Sequence, residues 1–217
     1  MSVNHQERYV VLDVETTGLW PWRGDRVIEV GAVAIEGGGM IAEFNTLVQA
    51  PREIPFRASQ IHGITDEMLI GQPTPEEVFP AFEAFLQDSI IIAHNARFDI
   101  GFLRRENELL GARFHPRYIC TLEMSRHRFP HLRNHKLETV YRHLMEGKLG
   151  GELSPSPATC FDPPLILSSE PAEESKDGLP KQAPLPGVEN KFHPHMQTHR
   201  ALDDARMVAR IWLAMEE

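Results

Sequence analysis

Short apolar runs in the first half of the chain predict the strands of a sheet. Residues 9–12 are almost continuously apolar, which is typical of a strand buried on both faces at the centre of a sheet. Residues 27–35 predict a second strand. The glycines at positions 37–39 then predict a turn into a third strand over 41–48, as a hairpin with a slightly long loop. A fourth buried strand is predicted over residues 89–93.

Helical periodicity begins at Pro75, which is followed by two glutamates and by an apolar face that continues to Leu86. Residues 97–110 predict another helix, with Gly111 as its C-terminal stop. A short strand is predicted near residues 118–120, and further helices are predicted over 121–128, 136–145 and 200–215. Three strands followed by alternating helices and strands indicate an α/β fold with a mixed sheet.

Residues 147–191 differ from the rest of the chain in composition. They contain eight of the 17 prolines and show neither helical nor strand periodicity. We interpret them as a flexible insertion into one domain formed by residues 1–146 and 192–217. Within the insertion, residues 182–186 (QAPLP) are similar to the Gln-x-x-Leu peptides that bind sliding clamps, and a chance match in a proline-rich segment is the alternative.

The overall composition excludes two broad classes of protein. The chain has 217 residues, 41% hydrophobic and 24% charged, which is typical of a globular protein. Its longest purely apolar run, residues 90–93, is far shorter than the ~20 residues that span a bilayer. The N-terminus shows no secretory signal, and two cysteines cannot form a disulfide framework. We therefore expect a cytoplasmic protein with two free thiols and no membrane partner.

The net charge of −9 argues at first against a nucleic-acid partner, but the charge is unevenly distributed. Residues 97–136 contain nine lysines and arginines against four acids, a local charge of +5. Such a basic stretch in an acidic protein is compatible with a surface that follows nucleic-acid phosphates. A solvated helix face is the alternative, and charge alone does not decide between the two.

Two carboxylates end the first predicted strand. Side chains two apart on a strand point to the same side, so Asp13 and Glu15 would lie together at the end of a buried central strand. They would repel each other unless a cation or protons intervene. Simple solvation at the strand end is the alternative.

Two further acids follow at the starts of predicted helices. Asp99 lies in the first turn after the fourth strand, where it would also be favoured by the helix dipole. In the last helix, positions four and seven residues after Asp204 are apolar, whereas Arg210 lies seven residues after Asp203. Helical spacing therefore predicts that Asp204 faces the protein and that Asp203 faces solvent.

Four acids from three regions of the chain suit two hard divalent cations. Oxygen ligands favour Mg²⁺ or Mn²⁺, whereas Zn²⁺ would need more histidine and cysteine. Two such cations can activate a water and stabilise the leaving oxygen of a phosphodiester. His199, close to Asp204 in sequence, can take the proton of that water near neutral pH. A zinc site built from His193, His195 and His199 would lack a fourth ligand at a suitable spacing.

Four segments carry a family resemblance: residues 11–19 (VLDVETTGL), 61–65 (IHGIT), 94–99 (HNARFD) and 199–205 (HRALDDA). Together they resemble the DnaQ-like, or DEDDh, 3′–5′ exonucleases, a group that includes the proofreading ε subunit of bacterial DNA polymerase III. The resemblance covers residues 8–146 and about 193–217. It implies a ribonuclease H-like fold, in which a five-stranded mixed sheet is flanked by helices.

The resemblance also implies roles for individual residues. The residues that would bind two divalent cations, Mg²⁺ or Mn²⁺, are Asp13, Glu15, Asp99 and Asp204, and His199 would be the general base. The residues that would bind the substrate are Val14, Thr16, Leu19, His62, Asn95 and Phe98. Thr16 would act through its backbone, and Leu19 would wedge against the terminal bases.

The activity implied by the resemblance is hydrolysis of DNA from single-stranded or frayed 3′ ends, which releases nucleoside 5′-monophosphates. A 3′–5′ exoribonuclease is one alternative, and a nuclease fold that only binds nucleic acid is a remote one. Because the chain ends at Glu217, directly after the last predicted helix, we do not expect the segment by which the ε subunit holds its polymerase. A DNA polymerase and a sliding clamp both stay open as partners.

Two tryptophans follow the first of these segments. Trp20 and Trp22 flank Pro21, and we expect both rings to pack against the protein. Stacking on a nucleic-acid base, worth ~1–3 kcal/mol per base, is the alternative.

Overall fold

The structure, a computed structural model, describes residues 7–148 and 200–216. Its strands are β1 (Tyr9–Thr16), β2 (Val27–Glu36), β3 (Gly39–Leu47), β4 (Ile90–Ala93) and β5 (Tyr118–Cys120). Its helices are α1 (Phe56–His62), α2 (Asp66–Leu69), α3 (Pro75–Leu86), α4 (Ala96–Leu109), α5 (Thr121–Arg128), α6 (Leu137–Lys148) and α7 (Ala201–Glu216). His199, the clamp-like peptide and nearly all of the predicted insertion lie outside the described residues, so those predictions stay predictions.

The strands form one mixed sheet in the order β3-β2-β1-β4-β5. The central strand β1 is antiparallel to β2 and parallel to β4. Val10, Val11 and Leu12 are completely buried, as the continuous apolar run predicts for a strand covered on both faces. The predicted five-stranded α/β fold is confirmed.

The hairpin between β2 and β3 differs from the prediction of a slightly long loop. Glu36 pairs with Gly39, so that Gly37 and Gly38 alone form the turn. Both glycines have positive φ angles, of 57° and 81°, which is what a tight two-residue turn of this hand requires. The third glycine is therefore the first residue of β3.

Two helical layers cover the sheet. Even-numbered β1 residues such as Leu12 face a core that contains Phe79 of α3 and Phe102 of α4. Odd-numbered residues such as Val11 face α7, where Val208 belongs to the second core. The alternation means that every second position of β1 looks towards α7, and this decides where the acids of β1 point. None of the helices within the described ranges is long and apolar enough to cross a membrane.

Candidate active site

The acids of β1 continue its row of side chains that face α7. Tyr9 pairs with Ile35 at one end of the strand, and Asp13 pairs with Gly31 towards the other. Because side chains two residues apart share a face, Asp13 and Glu15 occupy the positions that apolar side chains hold earlier in the strand. The sheet therefore presents two carboxylates beneath the first turn of α7.

Gly31 allows the first turn of α7 to lie directly on the sheet. A methyl group at Gly31 would overlap the backbone of Ala201 and Leu202. Since Gly31 is the partner of Asp13 on β2, this close approach lies beside the acids. The sequence analysis did not single out Gly31, although a glycine inside an otherwise apolar strand is a known signal of close backbone approach.

Asp204 joins the two acids of β1 across this contact. One carboxylate oxygen from each of Asp13, Glu15 and Asp204 lies within 4.8 Å of the others, and all three residues are half-buried. Asp203 instead is exposed and pairs with Arg206 at 3.2 Å. The structure thus places Asp204 on the protein-facing side of α7 and its neighbour on the solvent side.

Asp99 lies beside this group of three rather than within it. It is 2% exposed and occupies the first turn of α4. The backbone N–H groups of Asp99 itself and of Val14 act on its carboxylate and lower its pKa, against the effect of burial. Its charge acts on Asp13 more strongly than that of any other neighbouring acid. Four acids from β1, α4 and α7 therefore form one electrostatic unit.

Burial and mutual repulsion raise the pKa values of these carboxyl groups. Burial raises the pKa of Asp13 well above its usual value, and Asp99, Glu15 and Asp204 raise it further. Burial raises the pKa of Glu15 to about 8, with contributions from Glu29 and Asp204, while Arg200 opposes the shift. Burial likewise raises the pKa of Asp99 to about 8. Without a cation, the site retains protons at neutral pH.

These residues fit a divalent metal centre. Carboxylate oxygens are the ligands that Mg²⁺, Mn²⁺ and Ca²⁺ prefer. A cation between Asp13, Glu15 and Asp204 would replace the protons that now relieve their repulsion, and Asp99 is close enough to Asp13 to contribute to the same field. The positive end of the α7 dipole also favours negative charge at Asp204.

A buried ion pair that the sequence analysis missed fixes the start of α7. Glu29, which is 1% exposed, accepts the Nε–H of Arg200, whose nitrogen lies 3.0 Å from each carboxylate oxygen. It also accepts one hydrogen bond from Nη2 of Arg200 at 2.5 Å and one from the backbone N–H of Ala201 at 3.1 Å. We call this ion pair the Glu29–Arg200 clamp. Glu29 pairs with Glu15 across β1 and β2, so the Glu29–Arg200 clamp lies next to the acids. Arg200 directly follows His199, the predicted general base.

His62 and Thr16, both predicted to bind substrate, lie together beside the acids. His62 ends α1 and is 2% exposed; its Nδ1 accepts the backbone N–H of Ile64 at 3.1 Å. The ring proton therefore lies on Nε2, which makes no hydrogen bond of standard geometry, although the Thr16 backbone lies beside the ring. Burial, with the charge of Arg200, lowers the pKa of His62 to about 4. The imidazole is thus neutral at physiological pH.

Polar contacts of His94 hold the turn before α4 in place. His94 Nδ1 lies 3.0 Å from the Thr121 hydroxyl, and Nε2 lies 2.8 Å from the His135 backbone oxygen. This anchors the turn in which Asn95 takes a left-handed conformation, with φ 74°, and remains exposed. Phe98 follows in the first turn of α4, half-buried against Phe102 at a centroid distance of 4.9 Å.

The remaining predicted substrate residues lie at the end of β1. Val14 is 4% exposed with its side chain in the core, so only its backbone is placed to contact a ligand. The hydroxyl of Thr16 donates to the Gly18 carbonyl at 2.6 Å. Leu19 follows and is 68% exposed, as a side chain that wedges against bases would need to be.

The tryptophans were expected to pack against the protein, and this expectation is wrong. Trp20 and Trp22 are 58% and 59% exposed. Asp25, which the sequence analysis did not consider, explains their position. Its carboxylate accepts the backbone N–H of Trp20 at 2.9 Å and occupies the space that a side chain at Gly18 would need. The loop therefore closes on Asp25 and leaves both indoles outside.

The chain is similar in sequence to known exonuclease and DNA polymerase III proteins. A family model described as exonuclease, RNase_T, matches residues 10–149. The chain is 46% identical over 137 residues to a PolC-type DNA polymerase III of Thermotoga maritima, a match that covers 63% of this chain and 10% of that protein. It is 38% identical over 133 residues to the DNA polymerase III subunit epsilon of Aquifex aeolicus, covering 61% of this chain and 65% of that protein. The chain thus spans about a tenth of the length of the PolC-type relative.

Solved structures show the same fold. Exonuclease X in complex with 5′ overhanging duplex DNA aligns over 94% of this chain and 89% of its own, with a TM-score of 0.58 and 22% identity. Escherichia coli exonuclease I in complex with a 5cy-dA13 oligonucleotide aligns over 62% of this chain and 35% of its own, with a TM-score of 0.56 and 17% identity. At these identities the likeness concerns the fold, and it confirms the predicted ribonuclease H-like architecture.

Proposed function

Because the chain belongs to the exonuclease family, we propose that it is a metal-dependent 3′–5′ exonuclease that releases nucleoside 5′-monophosphates from DNA. The observation that carries the proposal is the convergence of Asp13, Glu15 and Asp204 within 4.8 Å, with the buried Asp99 beside them. Burial of several carboxylates in one place opposes folding unless they bind something.

The acids would hold two divalent cations, Mg²⁺ or Mn²⁺, which when bound activate a water and stabilise the leaving oxygen of a phosphodiester. In this proposal His199 accepts the proton of the attacking water, since histidine titrates near neutral pH. The Glu29–Arg200 clamp would hold the start of α7, and with it Asp204, in place.

Selection of a 3′ end would come from the residues around the acids. The neutral His62, with its proton on Nε2, offers a buried hydrogen-bond donor beside Thr16. Asn95, Phe98 and the backbone of Val14 would complete the pocket for the terminal nucleotide, and Leu19 would separate it from the next base.

DNA is proposed over RNA because the relatives carry DNA polymerase III names and two structural neighbours hold DNA or an oligonucleotide. The same names support a role in DNA replication or repair, with a DNA polymerase as a partner. A cytoplasmic location stays a prediction from the sequence. A sliding clamp is the partner that residues 182–186 would take. Loss of clamp binding in a Gln182→Ala, Leu185→Ala variant would support this contact, and unchanged binding would contradict it.

The test is degradation of matched single-stranded DNA and RNA oligonucleotides, labelled at either end, with Mg²⁺, Mn²⁺ or EDTA. We expect a 3′ label to leave at once as a mononucleotide, a 5′ label to give a descending ladder, and EDTA to stop both. Faster degradation of the RNA would assign the enzyme to RNA trimming. No degradation of either substrate would contradict the proposed activity and favour a binding role.

A further inference from the structure

The loop after β1 exposes two aromatic side chains on a rigid support. Trp20 and Trp22 are more than half exposed, whereas Trp212 in α7 is 4% exposed. Exposed tryptophan is uncommon outside binding surfaces, since the indole loses more by facing water than most side chains do. The two exposed indoles therefore mark a candidate binding surface.

The loop is held by buried charges rather than by the indoles themselves. Asp25 accepts the backbone N–H of Trp20 at 2.9 Å and pairs with Arg52 at 3.2 Å. The next residue, Arg26, forms two hydrogen bonds with the buried Glu106 of α4, at 2.9 and 2.7 Å. Because this frame fixes the turn, the rings are presented in a defined position and lose little entropy when they bind.

A guanidinium group faces each ring. Arg23 lies 5.6 Å from the ring centroid of Trp20, and Arg105 of α4 lies 5.6 Å from that of Trp22. An aromatic ring beside a guanidinium group suits single-stranded nucleic acid, since the ring stacks on a base and the cation attracts a phosphate. A purely apolar partner would offer no negative charge to the two guanidinium groups.

The distance from the acids also fits a strand that passes through the site. Trp20 follows Glu15 by five residues, so its Cα lies within about 18 Å of that of Glu15 even if the chain between them is fully extended. Stacked nucleotides rise by about 3.4 Å each. The rings are therefore within reach of the first few nucleotides that precede a 3′ terminus at the acids.

We propose that Trp20 and Trp22, with Arg23 and Arg105, form a stacking platform for the bases of a single-stranded segment next to the 3′-terminal nucleotide. The position of the strand rests on the proposed exonuclease function. The platform adds affinity for longer substrates and takes no part in the hydrolysis itself.

The test compares Trp20→Ala and Trp22→Ala with the wild-type protein on two substrates. One is a single-stranded DNA of about 20 nucleotides, long enough to pass the platform. The other is the p-nitrophenyl ester of thymidine 5′-monophosphate, which is too short to reach it. Binding of the DNA is also measured by fluorescence anisotropy in EDTA, where no hydrolysis occurs. Ile41→Ala is the matched control, because Ile41 is 52% exposed near the end of the sheet farthest from the acids.

We expect each tryptophan variant to raise KM and Kd for the DNA by about tenfold, the size of one base–aromatic stack. Hydrolysis of the ester and the melting temperature should not change, and Ile41→Ala should behave as wild type. Unchanged KM and Kd in both tryptophan variants would contradict the proposed stacking platform. The exposed surface would then be assigned to a protein partner. If the wild-type protein hydrolyses neither substrate, the proposed function is wrong, and the anisotropy measurement still decides whether the platform binds DNA.

Discussion

The two ends of the interface between β1 and α7 share one backbone arrangement and have opposite chemistry. At one end, Tyr9 packs against Trp212 with ring centroids 5.3 Å apart, and both side chains are nearly fully buried. At the other end, Asp13 and Glu15 occupy the same face of the same strand and meet Asp204. Along this one row of alternate side chains, the chemistry therefore changes from aromatic at Tyr9 to acidic at Asp13 and Glu15.

The comparison shows that one packing frame serves both stability and function. Burial of an aromatic side chain at the first end contributes ~1.5–3 kcal/mol to folding. At the second end burial opposes folding, because desolvation and neighbouring charges raise the pKa values of Asp13 and Glu15. Arg200 and the helix dipole offset part of this cost. The acidic end is thus explained by the cations that we propose it binds rather than by a contribution to stability.

The largest effect should come from replacing the acid that α7 supplies. Asp204→Ala should lower kcat by at least about 10³-fold, because bound metal ions contribute several kcal/mol of charge stabilisation. The melting temperature in EDTA should stay the same or rise, since Asp204 raises the pKa values of Asp13 and Glu15 by repulsion. Asp203→Ala is the matched control and should retain activity within about twofold, as expected of an exposed residue. The opposite ranking of the two variants would place the functional acid at Asp203.

At the apolar end the effect should be on stability. Trp212→Ala should lower the free energy of unfolding by about 3–5 kcal/mol, because it leaves a cavity beneath Tyr9. Specific activity per folded molecule should be kept at low temperature. Trp22→Ala removes the same side chain type from an exposed position and should change stability by less than about 0.5 kcal/mol. Chemical denaturation monitored by far-UV circular dichroism measures the free energy of unfolding of both variants. Equal losses of stability in Trp212→Ala and Trp22→Ala would contradict the expected difference between the buried and the exposed side chain.

Loss of the Glu29–Arg200 clamp should lower both activity and stability. Each effect should be smaller than in the two variants above. Glu29→Gln removes the charge that holds Arg200 and should lower kcat by about 10–100-fold, as is usual for residues that orient metal ligands. It should also cost about 2 kcal/mol of stability, from hydrogen bonds to a charged group. Glu43→Gln is the control, because Glu43 forms an exposed ion pair with Arg206 of the same helix.

The Mn²⁺ concentration for half-maximal activity separates positioning from a merely structural role. Glu29→Gln should raise this concentration with little change in KM for DNA, since the clamp holds the helix that carries Asp204 and not the nucleotide. Loss of stability with unchanged kcat and unchanged metal dependence would make Glu29 a structural residue only.

Local patterns predicted the frame of the site, because they depend on neighbouring residues. Apolar runs located all five strands, and the spacing of Val208 and Ile211 selected Asp204 over Asp203 as the protein-facing acid. Helix α1 was not predicted, although Gly63, with φ 72°, is a typical stop after a helix.

Contacts between distant parts of the chain were not predictable in this way. Glu29 and Arg200 are 171 residues apart, and no local pattern links them. The exposure of Trp20 depends on Asp25 accepting its backbone N–H, so residue type alone gave the wrong expectation that the ring packs. Such contacts follow only from the assembled sheet and helices.

The smallest effect should be a pH dependence confined to the acidic end. Glu15 and Asp99 have folded pKa values of about 8, above the ordinary values of 4.5 and 3.8, so the folded protein holds protons that the unfolded chain releases. Stability without metal should therefore be greatest at low pH and should fall as pH rises towards about 8, by at most about 1.4 kcal/mol per group and pH unit. Melting temperatures in EDTA at pH 6.5 and 7.5 measure this fall. Mn²⁺ should raise the melting temperature more at the higher pH, because the cation competes with fewer protons there. Glu15→Gln should flatten the dependence, whereas a melting temperature that rises with pH in EDTA would show that the acids are ionised in the metal-free fold.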